Sequence, residues 1–175
     1  MLASDKQIIT CTYSAPCGEL LLGAFDDRLC MCDWLTERRR TVTERRLQKG
    51  LNARCVHGEC RLLADAVRQL DDYFAGCRRA FEVPLLLVGS EFQKEVWNAL
   101  LRIPFGATVS YGDVARRIDR ASAVRAVANA NGANALSLFV PCHRVIGNNG
   151  ALTGYAGGVD AKRYLLALEQ SALFG

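Results

Sequence analysis

The character of the chain changes at Gly89. Before it, residues 6–14 and 18–35 alternate or run apolar in strand fashion, with Pro16-Cys17-Gly18 and Asp26-Asp27 as turns. After it, helix-starting signals follow one another. Ser90-Glu91-Phe92-Gln93 is a capping box, and Ser110 with Asp113 three residues on is a second capping signal. A chain of 175 residues divided in this way is predicted to be α+β. Residues 1–88 would form a small N-terminal domain of antiparallel sheet and helix, and residues 89–175 a mostly helical C-terminal domain.

Within the first half, Cys30 and Cys32 lie two apart and so share a strand face, where both pack as small hydrophobes. Residues 37–54 mix arginine and glutamate with no sustained apolar face, and predict a solvated loop or a frayed helix. Over 62–74 the spacing predicts a helix burying Leu63, Val67, Leu70 and Phe74, closed by Gly76. Arg78 to Val88 reads as strand and linker.

In the second half, Phe92, Val96, Leu100 and Ile103 form a buried helical stripe that Pro104-Phe105-Gly106 ends. A short helix follows Ser110, and a second one, capped by Ser122, covers 123–131 up to Gly132; the pair reads as helix-turn-helix. The second helix exposes only Ala, Asn and one Arg. So small a face suits close approach to another surface, or alanine-rich packing. Residues 136–140 predict a short buried strand, and Asp160 a cap for a last helix with Tyr164, Leu165 and Leu168 apolar and Glu169 among them.

The chemistry centres on Phe139-Val140-Pro141-Cys142-His143-Arg144-Val145-Ile146. A thiol attacks only as the thiolate, and at an unperturbed pKa near 8.5 only about 3% is thiolate at pH 7. A neighbouring imidazole can take the proton, and Pro141 restricts the backbone that aims the sulfur. Taken alone, the pair also fits a buried structural cysteine beside a surface histidine. Cys55-Val56-His57-Gly58-Glu59-Cys60 offers zinc-type ligands, but not the four at workable spacing that a site needs. The net charge of +4 permits a nucleic-acid partner without demanding one. The first residues show no signal peptide and no apolar run reaches membrane length, so the eight cysteines are expected reduced in a cytoplasm.

Pro141-Cys142-His143-Arg144-Val145, followed by Gly154-Tyr155-Ala156-Gly157-Gly158, resembles the O6-alkylguanine-DNA alkyltransferase family, the methylated-DNA–protein-cysteine methyltransferases. The likeness runs from about Ser90 to Glu169; the first half matches loosely. The resemblance implies a winged helix-turn-helix-like motif whose second helix enters the minor groove of double-stranded DNA, and an alkylated guanine that is flipped out of the stack. Cys142, His143 and Glu169 would be the proton relay, Tyr111 the group that pushes the phosphate and donates to the leaving base, and Asn134 the hinge. Arg125 would fill the vacated stack, with Ala123, Ala126 and Ala130 beside it on the groove-facing helix. Val145, Tyr155, Ala156, Gly157 and Ser137 would line the base pocket.

Three departures bear on substrate breadth. Ala135 stands where a proline usually follows the asparagine, Ser137 where some relatives have proline, and Ala156 where some have serine. The thioether product offers no carbonyl for water, so each molecule acts once. Full ionisation could raise thiolate at most ~30-fold, so positioning of the base must add more. The resemblance implies a monomer with no cofactor and no membrane partner. It implies no metal either, because Lys6 and Phe25 stand where zinc ligands of some relatives would be, and only Cys30 falls near one. The alternatives are a helix-turn-helix DNA binder without chemistry, and a cysteine hydrolase with only His57 and His143 as bases.

Overall fold

The computed structural model describes residues 6–175, the side chains of residues 37, 38 and 40 excepted. The chain divides between Val88 and Gly89 into two compact units.

In the first unit, β1 (Gln7–Ala15), β2 (Gly18–Phe25) and β3 (Arg28–Trp34) form an antiparallel meander. The sheet does not end there. β4 (Arg54–His57) joins β1 in parallel, giving the order β3-β2-β1-β4. A parallel neighbour needs a crossover, and α1 (Glu37–Leu51) provides it. The region expected to be loop or frayed helix is thus a 15-residue helix. Its anchor is polar and lies on another element, which apolar spacing does not reveal. Asp33 on β3, only 3% exposed, accepts from Thr43 Oγ1 at 2.6 Å, from Arg39 Nε at 3.2 Å and from the Trp34 amide at 2.9 Å. Leu47, one turn beyond Thr43, is fully buried.

The other face of β1 meets α2 (Arg61–Phe74), where Tyr13 donates to Asp71 at 2.9 Å and stacks on Phe74. The buried stripe of α2 is Leu63, Ala66, Gln69, Leu70 and Tyr73. Val67 and Phe74, expected inside, are half-buried, so the stripe is turned toward Ala66 and Tyr73. Gly76 sits at φ +76°, with its amide on Tyr73 O and the Cys77 amide on Asp72 O, a Schellman closure that a left-handed glycine permits. Residues 78–88 are not a strand. They make one bridge, Leu29 with Leu85, and otherwise run without ladder partners.

The second unit holds α3 (Glu91–Leu100), α4 (Tyr111–Arg117), α5 (Val124–Gly132) and α6 (Val159–Phe174). A two-residue parallel strip, β5 (Val109–Ser110) with β6 (Val145–Ile146), and loop 147–158 after it complete the unit. Both capping boxes form, at Ser90–Gln93 and Ser110–Asp113. The core of α3 is Val96, Trp97, Ala99 and Leu100, with Ile103 just after; Phe92 is half-buried. Trp97 ties α3 to α5 by donating from Nε1 to Ala130 O at 2.8 Å. Truncating so large a buried side chain to alanine typically costs about 3–5 kcal/mol.

α4 and α5 pack as a helix-turn-helix. α4 closes with Asp119 at φ +57°, its amide on Arg116 O and the Arg120 amide on Ala115 O. Ser122 does not cap α5: the residue at the N-cap is Ala123, without a side-chain bond. Asp160 likewise lies inside the first turn of α6, which begins from Gly158, and pairs with Arg163 at 2.7 Å. The inward face of α6 is Ala161, Lys162, Leu165 and Glu169; Tyr164 points to solvent and Leu168 is half-buried. Among the described residues no helix is long and apolar enough to cross a membrane.

Candidate active site

The backbone that delivers Cys142 is a buried double turn rather than the short strand expected for 136–140. The Phe139 amide bonds Ser137 O across Leu138, which is held at φ +73°. The Cys142 amide then bonds Val140 O across Pro141, at φ −79° and ψ 64°. Two successive γ-turns bend the chain too tightly for a ladder. A left-handed leucine is costly, and Asn134 holds the turn in place. Its Oδ1 accepts from the Leu136 amide at 2.9 Å and its Nδ2 donates to Val140 O at 2.9 Å. Asn134 is 2% exposed, so both bonds are shielded from water.

Cys142, His143 and Arg144 follow as one 3-10 turn, all three buried. That turn sends His143 and Arg144 toward the inward face of α6. Glu169 accepts from His143 Nε2 at 2.7 Å, from Arg144 Nη2 and Nε at 3.0 Å each, and from the Gly106 amide at 3.1 Å. Arg144 also donates to Ile103 O at 2.7 Å. Burial would raise the Glu169 carboxyl. The hydrogen bonds from His143 and Arg144, with the charge of Arg144, outweigh it and hold the group down at about 2. Gly106 is fixed by two needs at once. Its φ is +79°, and a Cβ there would come within 2.3 Å of Leu173 Cδ1.

An ionised carboxylate only accepts, so Nε2 of His143 carries the hydrogen and Nδ1 keeps its lone pair. Nδ1 is buried and has no hydrogen-bond partner. Burial pushes the imidazolium form down, against the pull of Glu169, so His143 is neutral at pH 7. The chain therefore places a neutral imidazole, oriented by Glu169, directly after its cysteine. Cys142 itself is 3% exposed.

Tyr111, at the start of α4, is half-buried. Burial raises its phenol above the ordinary value, a bond with Thr153 opposes that, and the charge of Cys142 adds to it. Val145 and Ser137 are fully buried, and Ser137 Oγ has no hydrogen-bond partner. Tyr155, Ala156 and Gly157 are half-buried in loop 147–158. On α5, Arg125 and Ala126 are exposed together with Val124 and Asn129, and Ala123 is half-buried. Ala130, expected beside Arg125 on the groove-facing side, lies elsewhere. It is 3% exposed and its carbonyl is engaged by Trp97, so it belongs to the packed face of α5.

Lys162 was not among the residues the sequence singled out. It is fully buried on the inward face of α6, and its Nζ donates to Val145 O at 2.6 Å and Thr153 O at 3.1 Å. The available signal was its spacing: Lys162 and Glu169 are seven apart and so share a helical face.

In the first unit, His57 and Cys55 lie on β4, while Cys60 is the N-cap of α2. Cys11 and Cys60 line a cavity with Leu63, Ala64 and Val67. Among the described residues, no group of three or more His, Cys, Asp or Glu is placed to hold a metal ion.

The family description "6-O-methylguanine DNA methyltransferase, DNA binding domain" matches residues 91–171, and "6-O-methylguanine DNA methyltransferase, ribonuclease-like domain" matches residues 8–87. The constitutive methylated-DNA–protein-cysteine methyltransferase of Bacillus subtilis is 43% identical over 165 residues, 91% of this chain and 93% of its own. The corresponding protein of Mycolicibacterium paratuberculosis is 56% identical over 110 residues, 63% of this chain and 67% of its own. A Mycobacterium tuberculosis OGT solved in complex with DNA superposes with a TM-score of 0.79 at 42% identity, covering 95% of this chain and 94% of that one.

Proposed function

The chain belongs to the 6-O-methylguanine DNA methyltransferase family, and on that premise we propose that it repairs alkylated DNA by moving the alkyl group from guanine O6 onto its own Cys142. The observation that carries the reading is the His143–Glu169 contact of 2.7 Å, with Nδ1 of the same imidazole unpartnered one residue after the cysteine.

The Cys142 thiol proton passes through a water to His143 Nδ1. The thiolate attacks the sp³ carbon of the alkyl group, and the carbon–oxygen bond breaks with its electron pair going to the purine. The purine takes up a proton, and Tyr111, whose phenol stays protonated well above neutral pH, is the donor. Glu169 keeps His143 in the tautomer that can accept, as in triads of the serine type. The product is a thioether, which water cannot cleave, so each chain acts once.

Reaching the carbon requires the base to leave the duplex. Arg125, Ala126 and Asn129 form the face of α5 offered to the minor groove, and Arg125 fills the gap in the stack. Small residues there let the backbone come close. Ser137 and Ala156 line the pocket for the base with Val145, Tyr155 and Gly157. One base and one sulfur complete the reaction, so nothing in the chemistry calls for a second copy, and the protein acts as a monomer. None of its eight cysteines is in a disulfide, which suits a reducing cytoplasm.

The test is the intact mass of the protein after mixing with duplex DNA containing O6-methylguanine. One methyl replaces one hydrogen, on Cys142, and Cys142→Ala stays unmodified. An unmodified wild type, or modification mainly at another cysteine, would refute the reading.

A further inference from the structure

The first unit holds a pair of thiols that the repair chemistry does not use. Cys60 is the N-cap of α2, and its side chain makes no capping bond. Cys11 lies on β1 between Ile9 and Tyr13, and alternate residues of a strand share a face. That face is the one α2 covers: toward the far end of the helix, Tyr13 donates to Asp71 and stacks on Phe74. The near end of the helix is placed by β4. The parallel register of β4 with β1 ends at Thr10 opposite His57, and the Gly58 amide then donates to Thr10 O at 3.0 Å. A Cβ on Gly58 would come within 3.3 Å of Ile9 Cγ2, so the link from β4 to α2 passes over the same face. Cys11 and Cys60 therefore border one cavity of about 350 Å³, with Leu63, Ala64 and Val67 as its apolar wall. Both cysteines are half-buried, while Glu59 and Ala64 beside them are exposed, so the cavity opens to solvent. Protein interiors leave few voids larger than a water molecule, and this one has a thiol on each of two elements. Burial pushes the Cys11 thiol up, and the charges of Cys60 and Glu59 add to it.

We propose that Cys11 and Cys60 are a reversible modification site, at which a small-molecule disulfide joins the two into an intramolecular disulfide. Cys60, as thiolate, attacks one sulfur of the reagent; a mixed disulfide forms and one small thiolate leaves. Cys11, kept protonated by its burial, acts second. It gives its proton to solvent, its sulfur attacks that of Cys60, and the second small thiolate leaves. Two protein thiols are oxidised and the reagent is reduced to two thiols, so no further reactant is needed. A link needs the two Cα atoms within about 7 Å, and the cavity gives the start of α2 room to settle toward β1. The bond then closes a loop that contains β2, β3, α1 and β4, and long closed loops restrict the unfolded chain most. The inference does not rest on Cys142 being the alkyl acceptor.

The test is equilibration of the folded protein in glutathione buffers of rising oxidised share, quenched with acid and mapped by peptide mass without reduction. The expected product joins the Cys11 peptide to the Cys60 peptide with the loss of two hydrogens, and dithiothreitol reverses it. The linked protein melts roughly 5–10 °C higher. Cys60→Ser, with wild-type circular dichroism and a cooperative melt, forms no link at Cys11 and shows no rise. Glutathione that stays on Cys60, a link between other cysteines formed first, or Cys11 and Cys60 both still free once the exposed Cys77 carries glutathione, would overturn the proposal. Methyl uptake from DNA is read separately, on Cys142, so either reading can fail without the other.

Discussion

Each unit buries one carboxylate against an arginine, and the two clusters do different work. Asp33 collects Thr43, Arg39 and a backbone amide, donors of which none can take up a proton at neutral pH. Glu169 collects His143, Arg144 and the Gly106 amide, but the imidazole has a second nitrogen, and that nitrogen has no hydrogen-bond partner. The first cluster fastens a helix to a sheet. The second has an open end one residue from a thiol. The same device, a buried acceptor with a guanidinium to neutralise it, becomes chemical when one of its donors can also accept a proton.

Substitutions at the two carboxylates should separate these roles. The largest effect is expected from Glu169→Gln, which strands Arg144 and frees His143. Removing one partner of a buried ion pair typically costs about 3–5 kcal/mol, and losing an oriented base slows its reaction at least ~100-fold. Denaturant melts and single-turnover methyl transfer would register both. Asp33→Asn is expected to cost about 3 kcal/mol by the same reasoning, with the transfer rate per folded molecule unchanged; a slowed rate would mean the cluster does more than fasten a helix. Gly106→Ala comes next at about 1–3 kcal/mol, since the Cβ overlaps Leu173 and the backbone is left-handed. Thr43→Val should cost about 1 kcal/mol, one hydrogen bond to Asp33, and leave chemistry alone.

Acidification sharpens the contrast most gently. The folded state holds His143 below its ordinary 6.5, so the unfolded chain binds more protons once pH falls below that value, and stability declines with it. The Glu169 carboxyl is held at about 2 against an ordinary 4.5, so a further loss follows as pH falls from 4.5 toward 2. In Glu169→Gln that second loss disappears, as monitored by melts across the acid range.

Motifs that depend on neighbours in sequence were legible. Ser90–Gln93 and Ser110–Asp113 are local, and both formed. Cys142 and His143 are adjacent, and the resemblance supplied Glu169. What sequence spacing could not carry was polar anchoring across elements. α1 has almost no apolar stripe because Asp33, on another element, holds it. α6 turns Lys162 and Glu169 inward, so apolar periodicity pointed instead to Tyr164 and Leu168. Residues 136–140 are apolar enough for a strand, but the Asn134 bonds and Pro141 fold them into turns. Ala130 shows the same limit at close range, since the indole that claims its carbonyl lies 33 residues away.

Alkyl transfer requires one imidazole to be neutral, with its hydrogen on Nε2 and Nδ1 able to accept. The chain has two histidines, so 15N spectra of protein labelled only at histidine, with His57→Gln to assign them, isolate His143. At pH 7 the expected result is a neutral ring protonated at Nε2, collapsing to another state in Glu169→Gln. An imidazolium at pH 7, or a ring protonated at Nδ1, would contradict it.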